Sequence, residues 1–175
     1  MKLGAKELRE VDEKQAQARL KKLKRRPIYL ILENVYDTYN VGGLFRLADA
    51  LAVEKMYLCG EIEIPPNSRI KKASIGTYKV VPWEYKKSAQ EAIRQLKKKQ
   101  VGIIGVEQHK QAVDYTKAEY SFPLALVLGN ETAGVTPETL ALCDQIVEIP
   151  MWGINKSLNV IVSAAIVGYW VTSRA

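Results

Sequence analysis

Three stretches of this sequence gather amides, glycines and charged side chains between apolar runs. They are Asn40-Val41-Gly42-Gly43-Leu44-Phe45-Arg46, Leu128-Gly129-Asn130-Glu131-Thr132-Ala133-Gly134 and Pro150-Met151-Trp152-Gly153-Ile154-Asn155-Lys156-Ser157-Leu158-Asn159. Glycine lets a ligand approach the backbone closely, so stretches of this kind can line a pocket with peptide donors and acceptors. The common nucleotide signatures are missing: no GxGxxG follows a strand, and there is no GxxxxGK[ST] loop. Gly102-Ile103-Ile104-Gly105 falls inside an expected strand and carries no signal of its own. One histidine (His109) and two distant cysteines (Cys59 and Cys143) make neither a metal-ligand spacing nor a Ser/His/Asp arrangement, so no metal is expected. Chemistry in such a pocket has to come from positioning and electrostatics.

The elements around these stretches explain how they could meet. Ile28-Tyr-Leu-Ile-Leu-Glu33 is a short, almost continuous apolar run, the mark of a parallel strand buried on both faces. After a polar loop, Leu44, Leu47, Ala48 and Leu51 recur at helical spacing. Strands are expected at Val53 to Cys59, Lys79 to Trp83, Val101 to Val106, Leu124 to Leu128 and Ile146 to Ile149. Helices are expected over residues 88–99, from Thr136-Pro137 onward, and from an N-cap at Ser157 towards Val171. This alternation predicts an α/β fold: a mostly parallel sheet with helices on both faces. In such sheets ligands bind beyond the carboxyl ends of the strands, where all three stretches would gather. The final helix is apolar nearly all round (Val160, Ile161, Val162, Ile166, Val167, Trp170) and is expected to be buried, in the monomer or in a dimer.

With 175 residues, the chain suits one domain, residues 27–175, preceded by a basic helical extension over 1–26 that Pro27 ends. The extension carries acids early, bases late and a thin apolar stripe of Leu8, Val11, Ala16, Leu20 and Leu23. The opening residues are charged and unlike a signal peptide, and Val160 to Val171 is too short to span a bilayer, so no membrane association is expected. The two cysteines fit a reducing compartment, and a cytoplasmic protein is expected. The net charge is +7, which favours phosphate contacts without proving them. Lys97 to Lys99 read as a solvated helix end whose cations complement the macrodipole. Lys21, Lys22, Lys24, Arg25 and Arg26 are more concentrated, and read either as a solvated helix end or as an arm that grips RNA.

In this order and spacing the three stretches resemble the SPOUT methyltransferases, specifically the SpoU/TrmH branch. Asn40, Gly42 and Arg46 match its Asn-x-Gly-x-x-x-Arg motif; Leu128 to Glu131 with Gly134 match the second; Ile149 to Gly153 with Ser157 to Val160 match the third. Lys72-Ala73-Ser74-Ile75-Gly76-Thr77 also resembles a family segment, and the likeness runs from about Ile28 to Val171. The resemblance implies a C-terminal trefoil knot, a homodimer, and S-adenosylmethionine-dependent 2′-O-ribose methylation of structured RNA. The RNA is expected to be tRNA, since the extra N-terminal domain of several rRNA-modifying relatives is lacking, and otherwise rRNA. It implies a cofactor site at Leu128, Gly129, Asn130, Gly134, Ile149, Met151, Gly153, Ser157 and Leu158, and a catalytic group of Arg46, Asn40, Glu131, Ser157 and Asn159.

Each of these also has a plainer reading. Arg46 alone is a surface arginine; the resemblance makes it the activator of the hydroxyl. A guanidinium stays protonated, so it would stabilise a developing alkoxide or clamp a neighbouring phosphate. Asn40 reads as a turn residue or as an amide holding the arginine loop or the ribose. Glu131 complements a helix start or anchors Arg46 or a motif loop. Ser157 serves as N-cap, with Asn159 facing the first helical turn, and both stay candidate site residues. Base methylation by another SPOUT branch, or a non-catalytic RNA-binding module, are the alternatives.

Overall fold

The computed structural model describes residues 2–20 and 23–174. Its centre is a seven-stranded sheet in the order β3-β2-β1-β6-β4-β7-β5. The strands are β1 (Arg26–Glu33), β2 (Val53–Cys59), β3 (Trp83–Lys86), β4 (Gly102–Val106), β5 (Val113–Asp114), β6 (Leu124–Leu128) and β7 (Gln145–Glu148). Every pairing is parallel, so all carboxyl ends emerge on one edge. The ends are also level: Leu32 of β1 pairs with Leu128 of β6, and Val106 of β4 with Val147 of β7.

The helices are α1 (Ala5–Glu10), α2 (Glu13–Leu20), α3 (Thr38–Ala50), α4 (Ser68–Ser74), α5 (Ala89–Lys97), α6 (Pro137–Leu140) and α7 (Val160–Thr172). The strand pleat sorts them onto two faces. Ile28, Leu30 and Leu32 point to one side, into a core with Leu44, Phe45 and Leu47 of α3 and Ala164, Val167 and Val171 of α7. Ile31 points to the other, with Ala92, Ile93 and Leu96 of α5. All five residues of β6 are buried, as a strand covered on both faces requires. Removing each such aliphatic side chain from water contributes roughly 1.5–3 kcal/mol. Among the described residues no helix is long and apolar enough to cross a membrane.

Several boundaries differ from the sequence reading. The N-terminal helix is broken in two, because Val11 is buried and Asp12 begins a new helix by accepting the Gln15 N–H at 2.7 Å. The basic run does not end in helix: Arg26 already opens β1, and Pro27 sits inside that strand. Asn40 lies within α3, which starts at an N-cap on Asp37 whose carboxylate accepts the Tyr39 N–H. The strand expected from Lys79 to Trp83 is displaced: a 3₁₀ turn over Thr77–Lys79 occupies its start, and β3 begins only at Trp83. Ser157 does not cap α7; Asn159 does, accepting the Ile161 N–H at 2.8 Å. The final helix is buried on one side only, with Val162 and Tyr169 exposed.

The N-terminal helices are fastened to the domain. Lys79 donates to the carbonyl oxygens of Arg9 and Val11 at 3.1 and 2.8 Å, closing the carboxyl end of α1. Gly76 passes beneath Leu8 so closely that a side chain there would overlap the Leu8 carbonyl.

Candidate functional site

Helix α3 reaches the sheet edge because of two adjacent glycines. A Cβ on Gly42 would lie 2.5 Å from Ala73 Cβ and 2.9 Å from Ser74 N, and one on Gly43 would overlap the Ile161 side chain. Helix α4 therefore seats against one side of α3 and the first turn of α7 against another. That seating places Asn159, the cap of α7, beside Asn40.

The Asn40 side chain is buried and bonded at both ends. Its Oδ1 accepts from Asn159 Nδ2 at 3.0 Å, and its Nδ2 donates to Glu131 Oε1 at 2.5 Å. One residue from each motif thus joins a single chain of hydrogen bonds. The carboxylate fixes which way the Asn40 amide faces, since a reversed amide would set two acceptors against each other. A hydrogen bond to a charged acceptor contributes roughly 1.5–3 kcal/mol, more than a neutral pair.

Beside this chain lies a cleft of about 210 Å³ at the carboxyl ends of β4, β6 and β7. Leu128, Gly129, Asn130, Gly134, Ile149, Met151, Ser157 and Leu158 all line it, as does Glu131. Gly153 does not: it is exposed, with nothing within 4 Å of a built Cβ. Residues of the β4 end, Val106, Glu107 and Gln108, also line the cleft. Nothing in their local pattern suggests it; only the strand order, with β4 between β6 and β7, brings them there.

The wall from 128 to 134 is nearly all backbone. A side chain on Gly129 would overlap Gly134, whose own φ of +68° suits glycine. Asn130 is committed to shaping this wall. Its Oδ1 accepts from Thr132 N and Ala133 N at 2.7 and 2.8 Å, and its Nδ2 donates to Asn34 O at 3.0 Å. Glu107 accepts the Val135 N–H at 2.8 Å from beneath. Buried Glu33, the last residue of β1, accepts from Thr136 N, Thr136 Oγ1 and Thr139 Oγ1 at 2.8, 3.0 and 2.5 Å. These bonds tie the loop to the ends of β1 and β4.

Arg46 stands apart. It is exposed on α3, does not line the cleft, and has no hydrogen-bond or ion-pair partner among the described residues. Within the basic run, Lys21 and Lys22 lie outside the described residues and Lys24 is exposed. Arg25 is spent on structure, donating to the carbonyls of Val53 and Val80 at 2.9 and 2.6 Å. Burial pulls its guanidinium below the usual pKa, with Asp49 and Glu54 working against that shift. Arg26 reaches the Thr172 carbonyl at 3.4 Å.

Known proteins resemble this chain in sequence and in fold. The model of a family described as "SpoU rRNA Methylase family" matches residues 27–169. A tRNA (guanosine(18)-2′-O)-methyltransferase of Escherichia coli is 31% identical over 83% of this chain and 63% of its own length. A 23S rRNA (guanosine-2′-O-)-methyltransferase of Ralstonia nicotianae is 31% identical over 80% of this chain and 56% of its own. The chain thus spans less than two thirds of either relative. The solved structure of an AdoMet-bound rRNA methyltransferase from Sinorhizobium meliloti superposes with a TM-score of 0.80 at 25% identity, over 95% of this chain and 60% of that one.

The bridge through Asn40 sets an ordered expectation. Asn40→Ala, which strands Glu131 and Asn159, should lower stability by about 1–3 kcal/mol. Asn40→Asp should cost more, because it sets a second carboxylate within bonding distance of Glu131. Urea denaturation of both variants checks this; equal stability of the wild type and Asn40→Asp would show that the bridge holds nothing.

Proposed function

The chain belongs to the SpoU rRNA Methylase family, and from that premise we propose that it methylates a ribose 2′-hydroxyl of structured RNA, a tRNA or an rRNA, using S-adenosylmethionine. The observation that carries this is the Asn159–Asn40–Glu131 chain set against a backbone-walled cleft. The cleft has the chemistry to hold a nucleoside cofactor: peptide groups of 128–134 for its polar edges, and Val106, Ile149 and Leu158 for its rings. Held there, S-adenosylmethionine would supply an electrophilic methyl group for the ribose oxygen, whose proton would pass to solvent water.

The protein's own contribution is positioning and charge. Glu131 and Asn159 hold the Asn40 amide in one orientation at the edge of the cleft. Ser157, on the cleft wall, is free of the capping role and offers its hydroxyl to cofactor or ribose. Exposed Arg46 faces the RNA, where its planar fork stabilises the developing alkoxide or clamps the neighbouring phosphate.

The same reading includes a homodimer and a C-terminal trefoil knot. Val162 and Tyr169 expose an apolar side of α7, 44% and 55% accessible, and Trp152 and Ile154 stand out at 92% and 102%. A second copy of the chain is the cover proposed for them. The path from β7, beyond β4, back to a helix packed with α3 at mid-sheet is what a knotted C-terminus needs. A cytoplasmic setting goes with unpaired Cys59 and Cys143, whose thiols burial pushes up to about 12. Lys24, with Lys21 and Lys22, forms the RNA-gripping arm, while Arg25 and Arg26 fasten its root.

Titration calorimetry should show S-adenosylmethionine binding to the wild type and, with similar affinity, to Arg46→Ala. Methyl transfer to transcribed tRNA and rRNA fragments should fall roughly a hundredfold in that variant, with poor recovery in Arg46→Lys. Undiminished transfer by Arg46→Ala would remove this arginine from the mechanism. Sedimentation at micromolar concentration should give a dimer for the wild type and a monomer for Val162→Asp; a monomeric wild type contradicts the dimer. Replacing Lys21, Lys22 and Lys24 together by alanine should flatten the salt dependence of RNA affinity by about 0.7–0.9 in log–log slope per lost phosphate contact. An unchanged slope would reduce the arm to a solvated segment.

A further inference from the structure

A second cavity, of about 300 Å³, opens at the amino end of α3 and plays no part in the cofactor cleft. Its walls include two tyrosines, Tyr36 and Tyr39, that are 54% and 53% exposed although neither is needed by the core. Glu63, Asn67 and Arg69 line the same cavity. The Tyr36 hydroxyl has only a long contact, 3.5 Å to Glu61. Asn67 is held by its own role as the cap of α4, accepting from Arg69 N and Ile70 N. The cavity thus combines aromatic faces with donors and acceptors suited to the edge of a planar polar ring.

Its place relative to Arg46 gives it meaning. Tyr39 and Arg46 are seven residues apart in one helix, so they share a stripe and are separated by about 10 Å along the axis. Gly43 lies between them on that stripe, and Ile161 of α7 packs over it. Asn40 adjoins Tyr39 in sequence and is the centre of the hydrogen-bonded chain. Ten ångströms from the arginine is the reach of a neighbouring nucleotide, since successive phosphates of an extended strand lie less than that apart.

We propose that Tyr36 and Tyr39 form a stacking site for an unpaired base of the RNA, adjacent to the nucleotide whose ribose meets Arg46. The inference rests on the RNA-methylating reading and adds the group that selects and splays the strand. Single-stranded bases stack on exposed aromatic rings, and every base has a face to offer. Asn67, whose oxygen caps α4 and whose Nδ2 donates to Glu63 at 3.2 Å, holds that carboxylate in place, and Glu63 and Arg69 then read the base edge as acceptor and donor. The site demands a substrate whose modified nucleotide lies in a loop or bulge, since a paired neighbour cannot turn its face to Tyr39.

The test uses the full-length protein and transcribed tRNAs and rRNA fragments. Losing a stacked base weakens binding about five- to a hundredfold, so Tyr39→Ala and Tyr36→Ala should raise the KM for a methylated transcript by that factor. The turnover at saturating RNA and the affinity for S-adenosylmethionine should stay near wild type. Tyr39→Phe should restore the KM and Tyr39→Leu should not, which separates stacking from simple apolar cover. An unchanged KM in both alanine variants, or full recovery with leucine, overturns the stacking site. Filter binding of the same transcripts distinguishes the two levels of the argument. RNA retained by the wild type and lost by Tyr39→Ala without any methyl transfer would keep the stacking site and sink the enzymatic reading. No retention of any transcript would sink both.

Discussion

A primary amide has two ends that are not alike, and the site is organised around one that cannot be turned over. Asn40 must present oxygen to Asn159 and nitrogen to Glu131, and each of those partners belongs to a different connection of the sheet. The geometry leaves little slack, because Gly42 and Gly43 let α4 and α7 come within van der Waals distance of the helix that carries Asn40. The cleft wall obeys the same logic from the other side. Asn130 and Glu107 take up backbone N–H groups of the 130–135 loop, and Glu33 holds its exit to β1. What looks like a flexible glycine-rich loop is a fixed surface made of peptide groups.

This arrangement divides labour between burial and exposure. The groups at the centre of the shape, Asn40, Asn130 and Glu33, are buried and hydrogen-bonded, as low-dielectric surroundings demand of polar side chains. Groups suited to meeting a large anionic partner, Arg46, Tyr39 and Lys24, are exposed and uncommitted. Arg25 shows the contrast within a single run of cations. Its fork is drawn in to cap the Val53 and Val80 carbonyls, so adjacent basic residues of like appearance serve opposite purposes.

Much of the fold was legible because its strands are continuous apolar runs whose burial on both faces leaves few alternatives. The places that were not legible share a cause: short polar side chains whose hydrogen bonds decide local structure only once their neighbours are in place. Asn40 looks like a loop residue, yet Asp37 starts the helix three positions earlier, a cap signal that was there to be read. Ser157 and Asn159 are both good caps, and the choice falls to Asn159 because its amide also reaches Asn40. The break between α1 and α2 has no proline or glycine to announce it and depends on burying Val11. Glu107 and Gln108 enter the cleft purely through strand order, which no local pattern encodes. The grouping of Asn40, Glu131 and Asn159 needed the motif resemblance, since they are separated by 91 and 119 residues.

Those separations bear on how the molecule comes into being. Strand β1 finds β2 nearby in sequence, but its other neighbour, β6, begins about a hundred residues later. Contacts closing such long loops form slowly, after local ones. Asn40 gains its first fixed partner only when β6 has docked and its second only when α7 has been laid across α3. Until then the amide is free to rotate and the cleft lacks a wall. A half-folded chain therefore holds no partial version of the site, which is complete only when β6 and α7 are both in place.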